Sequence, residues 1–184
     1  KTFEWFRDHF GMDICVFQDE AEATLMTPYT GDKVQKRSAT LAMNIQGGGG
    51  VEVWQFTSRS TRASEFDIML GDLGLYGTRI KCKDLQKAYD FLQAKNADIS
   101  EEIVHDPNGM PHFFVKDPHG LVYQMVGSDE WFSNGRHPSG GIAGCMIGVS
   151  DIDRSLGLYQ DILEYDKIEY DETGVFDDLK GLDG

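Results

Sequence analysis

Histidine and cysteine can transfer protons, act as nucleophiles and bind metals, so their spacing is the first guide to chemistry in this sequence. No two of the five histidines have the i, i+4 spacing of a zinc-protease helix, and no two of the three cysteines form a Cys-x-x-Cys pair. His112 opens a predicted strand, where it either faces solvent, the more common arrangement, or lines a pocket. We interpret the other four histidines as loop or surface residues: His9, His105, His119 and His137.

Four aromatic residues on predicted strands could line an apolar pocket for a ring-shaped ligand: Trp54, Tyr76, Phe114 and Tyr123. A place in the hydrophobic core is the alternative for each of them. Phosphate binding is not indicated, because the glycine run 47–50 leads into a strand, whereas a phosphate-binding loop opens a helix.

Two polar residues occupy equivalent places on strands that follow a turn. Glu52 stands four residues after Gly48, and Gln124 stands four residues after Gly120. Strand alternation places Glu52 on the same face as Trp54. The carboxylate is either a cation ligand or an exposed acid on an edge strand. The amide of Gln124 is a poorer cation ligand, because it carries no charge.

The composition is that of an acidic globular protein. Apolar residues make up 40% of the 184 residues, and 31 acidic against 17 basic residues give a formal charge of -14. So negative a surface repels phosphate backbones, which disfavours nucleic acid as a partner. The apolar runs are too short to cross a bilayer, and the first residues do not resemble a signal peptide. We interpret Cys15, Cys82 and Cys145 as buried thiols, which predicts a cytoplasmic protein.

Three segments share the apolar spacing of an amphipathic helix. They begin near Thr2, Leu85 and Ile152, and their apolar residues recur at intervals of three and four positions. Asp84 and Asp151 precede the second and third helices, where a carboxylate can accept hydrogen bonds from the N–H groups of the first turn. The recurrence predicts a structural repeat.

Strands are predicted around these helices by short apolar or alternating runs between turn residues. Their ranges are 13–18, 39–45 and 51–56 after the first helix, 76–82 before the second, 100–105, 112–116 and 121–126 after it, 145–149 before the third and 167–170 after it. The turn Asp117-Pro118-His119-Gly120 separates two of them. The repeating order is therefore strand, helix, three strands.

This order divides the chain into modules. Residues 1–128 are predicted to form a paired-module domain, in which a first module, about 1–58, lacks its first strand and a second covers about 72–128. A linker rich in Gly, Ser and Asn follows at 129–141, and residues 142–184 begin a third module. Because the sequence starts inside one module and stops inside another, we expect it to be part of a longer protein.

The repeated order, the aspartate before the helix, the helix ending in Phe10-Gly11-Met12 and the turn Asp117-Pro118-His119-Gly120 resemble the vicinal-oxygen-chelate superfamily. This group contains glyoxalases, bleomycin-resistance proteins and extradiol dioxygenases. The segment Ser155–Leu163 also resembles the helix of many of its modules, so the resemblance covers essentially the whole chain. It implies an α+β fold in which βαβββ modules pair into an incomplete barrel around a cleft.

In that family a divalent metal such as Fe, Zn, Mn or Ni is held by a histidine on the first strand and a glutamate on the last strand of each module. The resemblance assigns Glu52 and Gln124 to the last-strand positions. Gly77 and Gly144 stand at two first-strand positions, where glycine offers no ligand, and the remaining position would precede Lys1. A complete metal site in the first module pair is therefore not expected.

The resemblance leaves the function open. One hypothesis is a metal-dependent lyase, isomerase or ring-cleaving dioxygenase whose metal lies outside the first pair, with catalytic residues not identified. Another is a metal-free protein of the bleomycin-resistance type. It would hold a small molecule in a cleft lined by Trp54, Tyr76, His112, Phe114 and Tyr123. A third is a structural module that supports a homodimer.

Overall fold

The computed structural model describes residues 2–182. Within this range three α-helices and nine β-strands alternate, with 3-10 turns at Thr24–Tyr29 and Asp177–Leu179. The elements are α1 (Thr2–Phe10), β1 (Ile14–Glu22), β2 (Lys36–Met43), β3 (Gly50–Phe56), β4 (Gly74–Cys82), α2 (Leu85–Ala94), β5 (Asp98–Ile99), β6 (Val104–His105), β7 (Pro111–Lys116), β8 (Val122–Gly127), β9 (Ser139–Gly148) and α3 (Ile152–Asp161). One sheet has the order β1-β2-β3, and the other has the order β5-β7-β8-β4-β9, with β6 also paired to β7.

The chain forms two compact units, and neither is a continuous stretch of sequence. The first unit contains the chain up to Phe66 together with Ile80–Lys83 and Ser128–Ala143. The second contains Asp67–Arg79, Asp84–Gly127 and the chain from Gly144 onward.

In the first unit α1 supplies the apolar residues that the sequence predicts. Phe6 and Phe10 are buried, as are Ala39 and Ala42 of β2. The hairpin between β2 and β3 turns through the glycine run, where Gly48 and Gly49 both have φ of +76°. Residues with a side chain rarely adopt that conformation, so glycine fits the turn at little steric cost.

Asn44, at the end of β2, joins three parts of the first unit. Its side chain is 1% exposed, and Nδ2 donates hydrogen bonds of 2.9 Å to the backbone oxygens of Phe10 and Ser139. Its Oδ1 accepts a hydrogen bond of 3.0 Å from the backbone N–H of Gln46. Gln46 Nε2 donates to the same Ser139 oxygen at 2.6 Å. The end of the predicted linker 129–141 is thus held by buried amides, and β9 already begins at Ser139.

In the second unit α2 covers one face of the β7-β8 pair. Ala88, Tyr89 and Leu92 are its buried residues, and the Tyr89 ring meets the Phe113 ring edge to face at 5.1 Å. The predicted caps are confirmed: Asp84 accepts from the Lys87 N–H at 3.0 Å, and Asp151 accepts from the Arg154 N–H at 2.9 Å.

Three expectations about local structure are wrong. Residues 167–170 form no strand, and 100–105 contain only the two-residue β6, with β5 at 98–99. Cys15 and Cys145 are exposed, while Cys82 is buried as expected. A strand needs a partner for its N–H and C=O groups, and a local apolar pattern does not reveal whether that partner exists.

Candidate functional site

The second unit has a sheet face on which polar groups lie within an apolar surface. Phe114 pairs with Gln124 across β7 and β8, and His112 lies on the same face of β7 as Phe114. Phe113, between them, points to Tyr89 of α2, so the other residues point away from that helix. We call the surface formed by His112, Phe114 and Gln124 the His112 face.

Apolar residues surround this face. Phe114 forms a buried cluster with Val122 and Leu182. Four partly buried residues pack against the cluster: Leu70, Tyr76, Met146 and Leu179. The chain from Glu169 to Leu182, which we call the covering segment, therefore contributes two leucines to the surface beside His112.

His112 is buried, which makes the expectation of a solvent-facing imidazole wrong. It is 2% exposed, and its Nε2 lies 3.5 Å from Oδ2 of Asp178, a carboxylate that is itself 7% exposed. Burial comes from the covering segment, which is remote in sequence. Within residues 2–182, His112 Nε2 has no hydrogen-bond partner.

Burial sets the protonation state of His112. Burial lowers the pKa of His112, and this outweighs the raising effects of the Met110 backbone, Asp178 and Asp106. The ring is therefore neutral at pH 7. Nε2 lies close to the Asp178 carboxylate without a hydrogen bond to it.

We expect His112 to make stability depend on pH between 7 and 5. The unfolded histidine has a pKa of about 6.5 and the folded one a lower pKa, so the unfolded state binds the proton first as the pH falls. The stability contributed by neutral His112 is fully present above about pH 6.5 and is lost as the pH falls through the pKa of the folded state. The Tm of the native protein should fall more over this range than that of His112→Gln. The Tm of the exposed His119→Gln variant should depend on pH as the Tm of the native protein does. The same dependence in all three proteins would show that His112 is not the cause.

Arg79 of β4 adds a cation to this region. Its Nη1 lies 3.8 Å from Oε2 of Glu169. Burial lowers the pKa of His112 and raises the pKa of Tyr170, and the Arg79 charge adds to the first shift and opposes the second. Its Nε is buried and, among the residues that the structure describes, has no hydrogen-bond partner. Arg79 is not among the site residues predicted from the sequence. The available signal was a charged residue within the apolar strand predicted at 76–82.

The predicted site residues separate into two groups. Tyr76, His112, Phe114 and Gln124 are all in the second unit, on or beside the His112 face. Tyr123 is also in this unit, but on the α2 side, where its hydroxyl donates to Asp117 Oδ2 at 3.3 Å. Burial, and then Asp117, raise the pKa of Tyr123. Tyr123 therefore does not line the His112 face.

Glu52 and Trp54 lie in the first unit, on β3. The Glu52 carboxylate accepts a hydrogen bond of 2.9 Å from the Trp54 indole N–H, so the two side chains share a face as predicted. Both are exposed, and the Arg37 guanidinium lies over the Trp54 ring at 5.2 Å. This geometry is that of a surface cluster.

Two surface depressions lie away from these residues. One of about 750 Å³ follows β3 and is lined by residues 55–61. Another of about 510 Å³ lies at the start of α3, beside Leu73 and Gly148. Neither is lined by a predicted site residue, and the covering segment occupies the space over the His112 face.

The residues present do not fit the family's metal. Within residues 2–182, no three His, Cys, Asp or Glu side chains lie close enough together to hold an ion. At the first-strand position of Gly77, a Cβ would lie 2.6 Å from Met146 Cε and 2.9 Å from the Val122 carbonyl oxygen. A ligating side chain has no room there, and we derive no chemical step through a metal.

Comparison with known proteins identifies the family. The sequence model of the glyoxalase/bleomycin resistance protein/dioxygenase superfamily matches residues 1–125. The chain belongs to this superfamily. The α+β, glyoxalase/dioxygenase-like fold expected from the sequence is thereby confirmed, without a closed barrel in the part of the chain that the structure describes. A search among curated proteins found no match.

Two solved structures show the same fold. A glyoxalase family protein from Bacillus cereus matches with a TM-score of 0.50 and 16% identity, over 61% of this chain and 76% of its own. A candidate dioxygenase from Bacillus subtilis matches with a TM-score of 0.56 and 16% identity, over 88% of this chain. The superfamily chain described here spans 49% of that second protein, about half its length. No α-helix among residues 2–182 has the length and apolar character needed to cross a membrane.

Proposed function

We propose that this superfamily member binds a small organic molecule on the His112 face. The observation that supports the proposal is His112 Nε2, a buried ring nitrogen that has no hydrogen-bond partner among residues 2–182. A buried polar atom without a partner costs roughly 1–3 kcal/mol, and a ligand that supplies the missing hydrogen-bond partner recovers this cost. Phe114, Val122 and Tyr76 beside it offer the apolar surface typical of ligand pockets.

Nuclear magnetic resonance of the histidine rings tests the proposal directly. The chain has five histidines, so the ring signals of protein labelled with ¹⁵N-histidine can be assigned by single substitutions. We expect at least one probe among catechol, phenol, benzoate and the hydroxybenzoates to shift the His112 signals in a saturable way. The signals of exposed His119 should stay in place. If no probe moves the His112 signals, the proposal fails.

The enzymatic alternative is a metal-dependent lyase, isomerase or ring-cleaving dioxygenase whose metal lies outside the first module pair. Superfamily membership and the likeness to a longer candidate dioxygenase favour it. Elemental analysis of protein purified without chelators or a histidine tag is the test, followed by assays with methylglyoxal-glutathione hemithioacetal and with catechols. Stoichiometric metal and turnover would support this alternative. Protein that neither retains nor takes up metal would eliminate it.

A further inference from the structure

The covering segment is held to the second unit by few backbone contacts. Within residues 2–182, a single backbone–backbone hydrogen bond joins it to the rest of the unit, from the Leu70 N–H to the Leu182 oxygen at 2.6 Å. A side-chain hydrogen bond from Asn108 to the Glu169 backbone oxygen fixes its other end. Between these two points the segment has one short 3-10 turn, at Asp177–Leu179, and no strand. It therefore lacks the regular backbone pairing that joins β7 to β8.

Most of the covering segment is also exposed. Its first seven residues, 169–175, are all exposed. Apolar contact with the sheet comes from Leu179 and Leu182, which pack with Phe114 and Val122. Two leucine side chains therefore anchor the segment on the sheet.

The two carboxylates of the covering segment that approach the sheet add little to this anchorage. The Glu169 side chain is 54% exposed and lies 3.8 Å from Arg79, which is too long for a hydrogen bond. Exposed ion pairs of this kind contribute little stability. Asp178 lies 3.5 Å from His112 Nε2, a nitrogen that has no hydrogen-bond partner within residues 2–182. Neither carboxylate is therefore hydrogen-bonded to its neighbour.

These contacts make release of the covering segment much easier than unfolding of the sheet. Segments with few buried apolar contacts and little backbone pairing open at a lower free-energy cost than the core. Release breaks one backbone hydrogen bond to the unit and separates two leucines from the sheet. Unfolding of the sheet also breaks the pairing of β7 with β8 and separates α2 from Phe113.

We infer that the covering segment is a strap that opens while the sheet beneath it stays folded, so that the His112 face alternates between a covered and an accessible state. In the covered state His112 is 2% exposed and Phe114 is 6% exposed, so a ligand and the closed segment exclude each other on this face. As a control of ligand access the inference rests on the proposed function, whereas the opening itself requires no ligand.

Native-state hydrogen exchange measures this opening on the unmodified chain. The Leu70 N–H reports the closed segment because its acceptor is the Leu182 oxygen, and the amides of β8 report the sheet. We expect the Leu70 amide to be protected at least about tenfold less than the slowest β8 amides, and its exchange to respond less steeply to added urea. Equal protection and equal urea responses would mean that the segment leaves only when the sheet unfolds, which would overturn the inference.

A soluble gadolinium chelate tests whether opening exposes the His112 face. Leu179→Ser weakens one anchor, so the chelate should broaden the His112 ring signals at least about twofold more in this variant than in the native protein. Val175→Ser is the matched control, because Val175 is 93% exposed, and it should behave as the native protein does. Equal broadening in all three proteins would contradict the inference. The exchange measurement needs no variant, so it decides the matter even if Leu179→Ser does not fold.

Phenol and benzoate separate the strap from the proposed function. A probe that binds on the His112 face should make the Leu70 amide exchange faster, because it binds only while the covering segment is open. Binding at His112 without this acceleration would show that the segment does not control access, and this would overturn the inference. If the Leu70 amide shows the opening but no probe shifts the His112 signals, the proposed function fails and the strap stands.

Discussion

Replacing Asn44 by alanine should destabilise the protein by about 3 to 4 kcal/mol. The change removes two donated hydrogen bonds to the Phe10 and Ser139 oxygens and one accepted from the Gln46 N–H. The site is 1% exposed, so water cannot replace these bonds without rearrangement. Each buried backbone group left unpaired costs about 1–3 kcal/mol, and the groups share one network.

Urea denaturation provides the measurement for this variant. The midpoint should fall while the slope of free energy against urea concentration stays near that of the native protein. Asn134→Ala is the matched control, because Asn134 is exposed and its amide oxygen accepts a hydrogen bond from Lys83 Nζ. We expect it to change stability by less than about 0.5 kcal/mol. If the two substitutions have equal effects, Asn44 is not the residue that joins the first unit.

Replacing Phe113 by alanine should lower the free energy of unfolding by a similar amount, about 3–5 kcal/mol. Phe113 is 0% exposed, lies opposite fully buried Met125 on β8 and meets the Tyr89 ring at 5.1 Å. Truncation removes the apolar contact between the sheet and α2 and leaves a cavity where the ring was.

Thermal unfolding followed by circular dichroism would show this loss as a lower Tm. Phe66→Ala serves as the control, because Phe66 is 68% exposed and loses little contact on truncation. A Phe113→Ala protein as stable as Phe66→Ala would mean that α2 is not held to the sheet through this ring.

The sequence predicts the helices, two of their caps and the turn before β8, because the causes of these features are local. The helices follow from apolar spacing, and the caps at Asp84 and Asp151 follow from one carboxylate placed before the first turn. The turn before β8 follows from Asp117 and Gly120: Asp117 Oδ1 accepts from the His119 and Leu121 N–H groups, and Gly120 has φ of +86°.

The site is less predictable, because its properties depend on residues far apart in sequence. His112 is a strand residue next to a turn, and nothing near it indicates that Asp178, 66 positions later, buries it. Tyr123 and Gln124 are both buried and adjacent, and only the position of α2 distinguishes the face of one from the face of the other. The binding roles of Glu52 and Gln124 stay predictions.

The contact between Asn44 and Ser139 also has a consequence for how the chain folds. These residues are 95 positions apart, so the loop between them must be closed before the network contributes any stability. During synthesis α1 and the β1-β2-β3 sheet leave the ribosome before residues Ser128–Ala143, which belong to the same unit. This part of the chain therefore stays incomplete, with Asn44 still hydrated, until the β9 segment has been made. Formation of this unit should therefore be a comparatively slow step of folding.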